Sequence, residues 1–144
     1  MSDWHRRDDG TDAIWLAELG WKEAAAGKLN LKGEQMILMN VADMMIDAYL
    51  AESTLLRVRK LATLESGRKH DISVYADMLR LFINDAQARI AKSAGDALAS
   101  FAEGDVLKTL NMGVKRFSKY PSPQVRDARK RIADIQLEAN AYAF

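Results

Sequence analysis

Two histidines and no cysteine leave this 144-residue chain few side chains that could form a catalytic or metal site. His5 lies in the opening stretch MSDWHRRDDG, and His70 lies in the connector SGRKHD, where a solvated loop residue is expected more often than a catalytic base. No pair of Glu-x-x-His motifs, no P-loop and no glycine-rich dinucleotide motif occurs. The residues by themselves therefore predict no catalytic residue, no cofactor-binding residue and no metal ligand.

The pronounced electrostatic feature of the chain is a run of basic residues between positions 108 and 131. Eight lysines and arginines stand there against Asp127 alone, so the net charge of this stretch is +7. The candidates for docking onto an anionic surface are Lys108, Lys115, Arg116, Lys119, Arg126 and Lys130. Such a cluster can hold an acidic protein surface, an anionic lipid headgroup or a phosphate, although an ordinary solvated face is the more common outcome. Aromatic residues do not alternate with these charges, so we expect no nucleic-acid partner.

The elements that must position these residues are long helices, because breaks in the chain are few. Two prolines and eight glycines are present, and the convincing breaks are at 27–33, 66–67, 104–105 and 121–123. No segment alternates with period two over a useful length, so the predicted fold is an all-α helical bundle.

We predict about five helices, of which the second and third form a long antiparallel pair. The predicted helices cover 12–26, 33–65 and 71–103, then a segment from an Asp105 N-cap to just before Pro121, and a last one with Ser122 as N-cap and Pro123 at its first position. The turn at 121–123 should bring the last two helices near each other. Residues 1–10 are predicted to be a disordered leader, and residues 11–144 a single domain.

The segment EQMILMNVADMMIDAYLAESTLL (34–56) carries one sustained apolar stripe of helical period. The stripe is Ile37, Val41, Met44, Ala48, Ala51, Leu55, Val58 and Ala62, and it is widened by Leu38, Ala42, Met45, Tyr49 and Leu56. Asp43 and Asp47 are predicted on the outer side, and the ~20 uninterrupted apolar residues of a membrane span are missing. We therefore predict that the methionines fill a core. A methionine-rich groove for a partner is the alternative interpretation.

The following helices carry matching stripes that would cover this one. In the third helix the stripe is Tyr75, Leu79, Phe82, Ala86, Ile90, Ala94, Ala97 and Phe101. In the fourth and fifth it is Leu107, Leu110, Val114 and Phe117, then Val125, Ala128, Ile132 and Ile135. Asp85 with Arg89, and Lys92 with Asp96, are spaced to form ion pairs along the outer face of the third helix.

Four stretches of the sequence resemble the extra C-terminal domain of acyl-CoA dehydrogenases, in particular bacterial members related to the very-long-chain enzymes. They are KGEQMILMNVADMMIDAYLAESTLLRVRKL (32–61), DAQARIAKSAGDALASFAEGD (85–105), LNMGVKRFSKY (110–120) and RKRIADIQLEANAYAF (129–144). The resemblance covers roughly 28–144 and rests on packing motifs, whereas residues 10–28 depart from the family's connecting stretch.

The resemblance implies a non-catalytic part of a larger flavoenzyme of fatty-acid β-oxidation. Enzymes of this family oxidise acyl-CoA thioesters to trans-2-enoyl-CoA with FAD, and a glutamate acts as the base that removes the α-proton. The flavin, the acyl pocket and that glutamate lie upstream of this domain, so FAD is expected in the full-length enzyme and not in this chain. The resemblance implies that this domain packs on the catalytic domains of the parent enzyme and that the region is linked to membrane association. An anionic membrane surface as partner is inferred from the basic residues between 108 and 131, not from the resemblance.

Other interpretations of the chain stay open at this point. A free-standing or engineered helical bundle could hold a protein partner in a groove or on its basic face, and an independent enzyme is a weaker alternative. An apolar docking face without its partner could also drive self-association. The absence of cysteine and of a signal peptide leads us to expect a cytoplasmic protein, peripheral to the inner membrane if the basic residues dock there.

Overall fold

The computed structural model describes residues 33–64 and 68–144. Within these ranges the chain forms no strand and four helices: α1 (Gln35–Thr63), α2 (Ile72–Ala99), α3 (Gly104–Phe117) and α4 (Val125–Ala139). The predicted all-α class is therefore confirmed. The predicted leader at 1–10 and the predicted helix at 12–26 lie outside the described residues.

Helices α1 and α2 form the predicted antiparallel pair. Met44 in the first half of α1 packs with Leu98 near the end of α2, whereas Leu61 near the end of α1 lines the same pocket as Tyr75 near the start of α2. The two helices have 29 and 28 residues, so each is roughly 42 to 44 Å long.

Helix α2 is the central element, because α1, α3 and α4 all pack against it. Its predicted stripe is confirmed, with Leu79, Ala86, Ala94 and Ala97 buried. The small side chains of Ala86, Ala94 and Ala97 let neighbouring helices approach closely. One buried cluster, made of Met44, Ala94, Leu98 and Val114, joins α1, α2 and α3. On the other side, Ala128 of α4 is buried.

The start of α2 is fixed by its N-cap. The Asp71 side chain accepts a hydrogen bond from the Ser73 backbone N–H at 2.8 Å, which satisfies one of the donors that a helix start leaves unpaired. Hydrogen bonds from Ser73 lower the pKa of the Asp71 carboxyl, since they favour its charged form.

The predicted starts of the last two helices are each wrong by two residues. Helix α3 begins at Gly104 with Glu103 as its N-cap, so Asp105 lies in the first turn and is not the cap. Helix α4 begins at Val125 with Gln124 as its N-cap. The Val125 N–H donates to the Pro123 carbonyl at 2.8 Å, and Gln124 has φ −71° and ψ 73°. These values are those of an inverse γ-turn, which separates Ser122 and Pro123 from the helix.

The ion pairs tie helices together more than the sequence predicts. Lys92 binds Asp96 along α2 at 2.5 Å, as predicted. Arg89, however, does not bind Asp85. It crosses to Asp47 of α1, with Nε 2.9 Å and Nη2 2.7 Å from the carboxylate oxygens. Asp47 is therefore buried at the helix interface and not on the outer side of α1. The hydrogen bonds with Asp47 raise the pKa of Arg89.

Candidate functional site

The exposed surface of α1 is the main candidate for a functional surface. Of the four methionines predicted to fill the core, Met44 is buried at 2% exposure, but Met36, Met39 and Met45 expose 69%, 60% and 59% of their area. The core prediction is therefore wrong for three of the four. Leu38, Tyr49 and Leu56 are exposed as well, so the residues expected to widen the buried stripe do not do so.

The exposed apolar residues of α1 cover one continuous side of the helix. We name this side the α1 apolar face, and it consists of Met36, Leu38, Met39, Met45, Ile46, Tyr49, Leu50 and Leu56. At 100° per residue these positions occupy about half of the helix circumference, opposite the half that contacts α2. Among them Asp43 provides a charge. A contiguous apolar surface of this kind marks an interaction site more often than an ordinary solvated face.

The basic residues between 108 and 131 divide into two groups. Arg129 and Arg131 turn inward toward α2, where Arg129 reaches Asp85 at 3.3 Å and Arg131 binds Asp77. Arg131 Nε lies 2.9 Å from the Asp77 carboxylate. These two arginines hold α4 against α2 and are therefore part of the packing.

The remaining six cations form what we name the basic surface. Its members are Lys108, Lys115, Arg116, Lys119, Arg126 and Lys130, and all six are exposed. Lys108 lies 3.0 Å from Asp105 and Arg126 lies 2.9 Å from Asp127. Within the described part of the chain, the other four form no ion pair. Helices α3 and α4 each pack mainly on α2, so the predicted close approach of these two helices is not their principal contact.

His70 is not the solvated loop residue that the sequence suggested. Its ring is half-buried, and Nε2 lies 3.0 Å from the Ala143 carbonyl oxygen, to which it donates. The ring also packs near Phe144, with centroids 5.0 Å apart. The partner of the imidazole is thus a backbone carbonyl, and His70 anchors the end of the chain against the start of α2.

Metal sites and membrane spans are two further possibilities for the described ranges. No group of three or more histidine, aspartate or glutamate side chains there is arranged to hold a metal ion. None of the four helices is both long and apolar enough to cross a membrane.

Comparison with known proteins adds a family to this geometry. The family described as "Acyl-CoA dehydrogenase, C-terminal domain" matches residues 22–116. The chain belongs to this family. A relative named "Probable acyl-CoA dehydrogenase", from Bacillus subtilis (strain 168), is 28% identical over 109 residues. That match covers 76% of this chain and 18% of the relative, so the domain corresponds to a small part of the relative's length.

The sequence itself contains one signal for the α1 apolar face. Between Gln35 and Leu50 the far side of the helix carries almost no charge. A helix that packs against one neighbour normally alternates an apolar stripe with a polar face. The missing polar face of α1 therefore indicated a second contact surface.

Proposed function

We propose that this chain is the appended, non-catalytic C-terminal domain of an FAD-dependent acyl-CoA dehydrogenase of cytoplasmic fatty-acid β-oxidation. In this proposal the parent enzyme acts on long or very long acyl chains. The domain packs on the catalytic part through the α1 apolar face. The observation that carries the proposal is this face, because it is large, almost uncharged and left open by every described residue of the chain.

The energetics favour a protein partner for the α1 apolar face. Complete burial of one leucine, isoleucine or methionine side chain contributes about 1.5 to 3 kcal/mol. Eight large apolar side chains each have 44% or more of their area still to bury. Covering most of them would therefore contribute several kcal/mol, from which the cost of association must be subtracted. The partner surface should itself be apolar, with few charges.

Reconstitution with the flavin-containing part of the parent enzyme tests the proposal. We expect the purified chain to bind that part, and the complex to carry the flavin absorption that the chain alone lacks. The double variant Met39→Glu/Ile46→Glu places two charges on the face and should abolish binding, since both positions are exposed and the fold should survive. Circular dichroism checks that the helices remain.

The matched control is Met112→Glu on α3, an equally exposed methionine outside the face. It should bind like the unchanged chain. Undiminished binding by Met39→Glu/Ile46→Glu would show that the face is not the docking surface. If the catalytic part does not bind at all, the face serves another partner, as in a free-standing binding module, or a second copy. Sedimentation of the chain alone distinguishes self-association.

The basic surface supports a second role, docking onto an anionic membrane surface. Lys115, Arg116, Lys119 and Lys130 are exposed and form no ion pair with described residues. Each basic residue near an anionic bilayer contributes about 1 kcal/mol, and this attraction weakens as salt rises.

Cosedimentation with phosphatidylserine vesicles tests the membrane role. The chain should bind at low salt and dissociate at high salt. The triple variant Lys115→Gln/Lys119→Gln/Lys130→Gln should lose binding, whereas Lys92→Gln on α2 should retain it. Binding that does not respond to the triple substitution would leave the basic surface as an ordinary solvated face.

A further inference from the structure

A cleft opens where the end of α1, the first turns of α2 and the last residues of the chain meet. Its volume is about 500 Å³, which is within the range of small-molecule binding sites. We name it the C-terminal cleft. It is separate from the α1 apolar face, since none of the eight residues of that face lines it.

The walls of the C-terminal cleft are apolar. Val58 and Leu61 come from α1, Tyr75 and Met78 from α2, and Phe144 from the end of the chain. All five are half-buried, so they present apolar surface to the cleft without closing it. An alkyl chain in the cleft would therefore contact apolar side chains of α1, of α2 and of the end of the chain.

The wall formed by the end of the chain is held in place by specific contacts. The His70 Nε2–H donates to the Ala143 carbonyl at 3.0 Å, and the Gln136 Nε2–H donates to the Ala141 carbonyl at 2.5 Å. The Ala143 N–H donates to Gln136 Oε1 at 3.4 Å. The shape of the cleft is therefore fixed by hydrogen bonds within the fold.

The rim of the C-terminal cleft is positively charged. Arg57, Lys60 and Lys69 line it, and no aspartate or glutamate does. All three cations are exposed, and none forms an ion pair with another residue in the described ranges. An apolar interior with a cationic rim is complementary to a molecule that has an aliphatic tail and an anionic head.

From this arrangement we infer that the C-terminal cleft binds a single-chain alkyl carboxylate. The chain lies against Leu61, Met78 and Phe144, and the carboxylate accepts hydrogen bonds from the lysines of the rim. An inorganic anion would leave the apolar walls unused, and an uncharged alkane would leave the cations unused. The inference does not depend on the proposed function, because it concerns a different surface of the domain.

Titration of the full 144-residue chain with dansylundecanoic acid, a fluorescent alkyl carboxylate, tests this inference. We expect saturable binding and competition by dodecanoate, with much weaker competition by dodecanol. The double variant Lys60→Gln/Lys69→Gln should weaken binding roughly fivefold, since two exposed charge contacts are lost. The matched control Arg59→Gln/Lys92→Gln removes the same charge outside the cleft and should leave the affinity unchanged.

A second pair of variants tests the mouth of the cleft without a risk to the core. Tyr142 lines the cleft and is 80% exposed, whereas Leu137 on α4 is 78% exposed and lies outside it. Tyr142→Glu should weaken binding, because it places a negative charge beside the carboxylate, and Leu137→Glu should not. Equal effects of the members of either pair would overturn the inference. Loss of binding in Met39→Glu/Ile46→Glu would also overturn it, since the probe would then occupy the α1 apolar face.

Discussion

The Asp47–Arg89 ion pair allows a quantitative test of how α1 and α2 are held in register. The guanidinium of Arg89 makes two close contacts with Asp47, at 2.9 and 2.7 Å. The two partners are not equally accessible to water: the Asp47 side chain exposes 13% of its area and that of Arg89 exposes 52%. Truncation of each partner to alanine should therefore have unequal consequences.

Arg89→Ala should be the more damaging change. It leaves the Asp47 carboxylate at the helix interface without its donors, and breaking a buried pair from one side costs about 3 to 5 kcal/mol. Asp47 retains some contact with water, so we expect a loss of about 2 to 3 kcal/mol in the free energy of unfolding. The cation–π contact of Arg89 with Phe82, at 5.9 Å from the ring centroid, is lost as well and adds about 0.5 kcal/mol.

Asp47→Ala should cost less, because Arg89 is already half in water and can be hydrated once it is released. The loss is then confined to the charge-assisted hydrogen bonds, for which about 1 kcal/mol is reasonable at this exposure. Urea unfolding followed by circular dichroism measures both variants and the double variant. Lys92→Ala, which removes an exposed pair, should change stability by less than about 0.5 kcal/mol. An Asp47→Ala loss equal to or larger than that of Arg89→Ala would refute the reasoning from solvent access.

Four further substitutions have defined expected outcomes. Asp71→Ala should lower thermal stability at neutral pH. Folding lowers the pKa of Asp71 below its ordinary value of 3.8, so the difference in melting temperature between the variant and the unchanged chain should be complete above pH 3.8 and disappear as the pH falls through the folded-state pKa. Melting curves recorded from pH 7 to pH 2 measure it. Ala94→Leu should overpack the junction of α1, α2 and α3 and cost about 1 to 3 kcal/mol in urea unfolding. Gly104→Ala should destabilise the fold by about 1 kcal/mol, because Gly104 has φ +58°. Gly113→Ala should stabilise it by up to about 1 kcal/mol, because Gly113 lies within a helix and an added Cβ there meets nothing within 4 Å. Changes in the free energy of unfolding of the same sign for both variants would contradict this account.

The helix pattern predicted α2 well and α1 only in part, for one physical reason. In α2, polar residues such as Arg80 and Lys92 interrupt the outer face, so the period identifies which side is buried. In α1, apolar residues occupy both sides between Met36 and Leu50. More than one face of α1 then shows the apolar repeat of a buried helix, so the sequence pattern does not identify which side contacts α2. Packing of the helices decides this.

Spacing along the chain predicted the pair of Lys92 with Asp96, but it did not predict the contacts that join different helices. Asp85 lies four residues from Arg89, but its partner is Arg129, which is 44 residues away. His70 is likewise anchored by a carbonyl 73 residues away. Contacts at such separations depend on how helices dock, and a sequence pattern within one helix carries no information about this.

The two proposed surfaces are compatible and can be separated by salt. The α1 apolar face points away from α2, whereas the basic surface lies on α3 and α4, so contact with a catalytic partner through α1 would leave Lys115, Lys119 and Lys130 exposed. Added salt screens the attraction between lysines and anionic lipids over a distance of about 10 Å at 0.1 M. Burial of apolar area is not weakened in this way, and sulfate strengthens it. We therefore expect a salt titration of the reconstituted complex to release it from vesicles while the catalytic part stays bound. Simultaneous loss of both partners would mean that charge also dominates the contact made by α1.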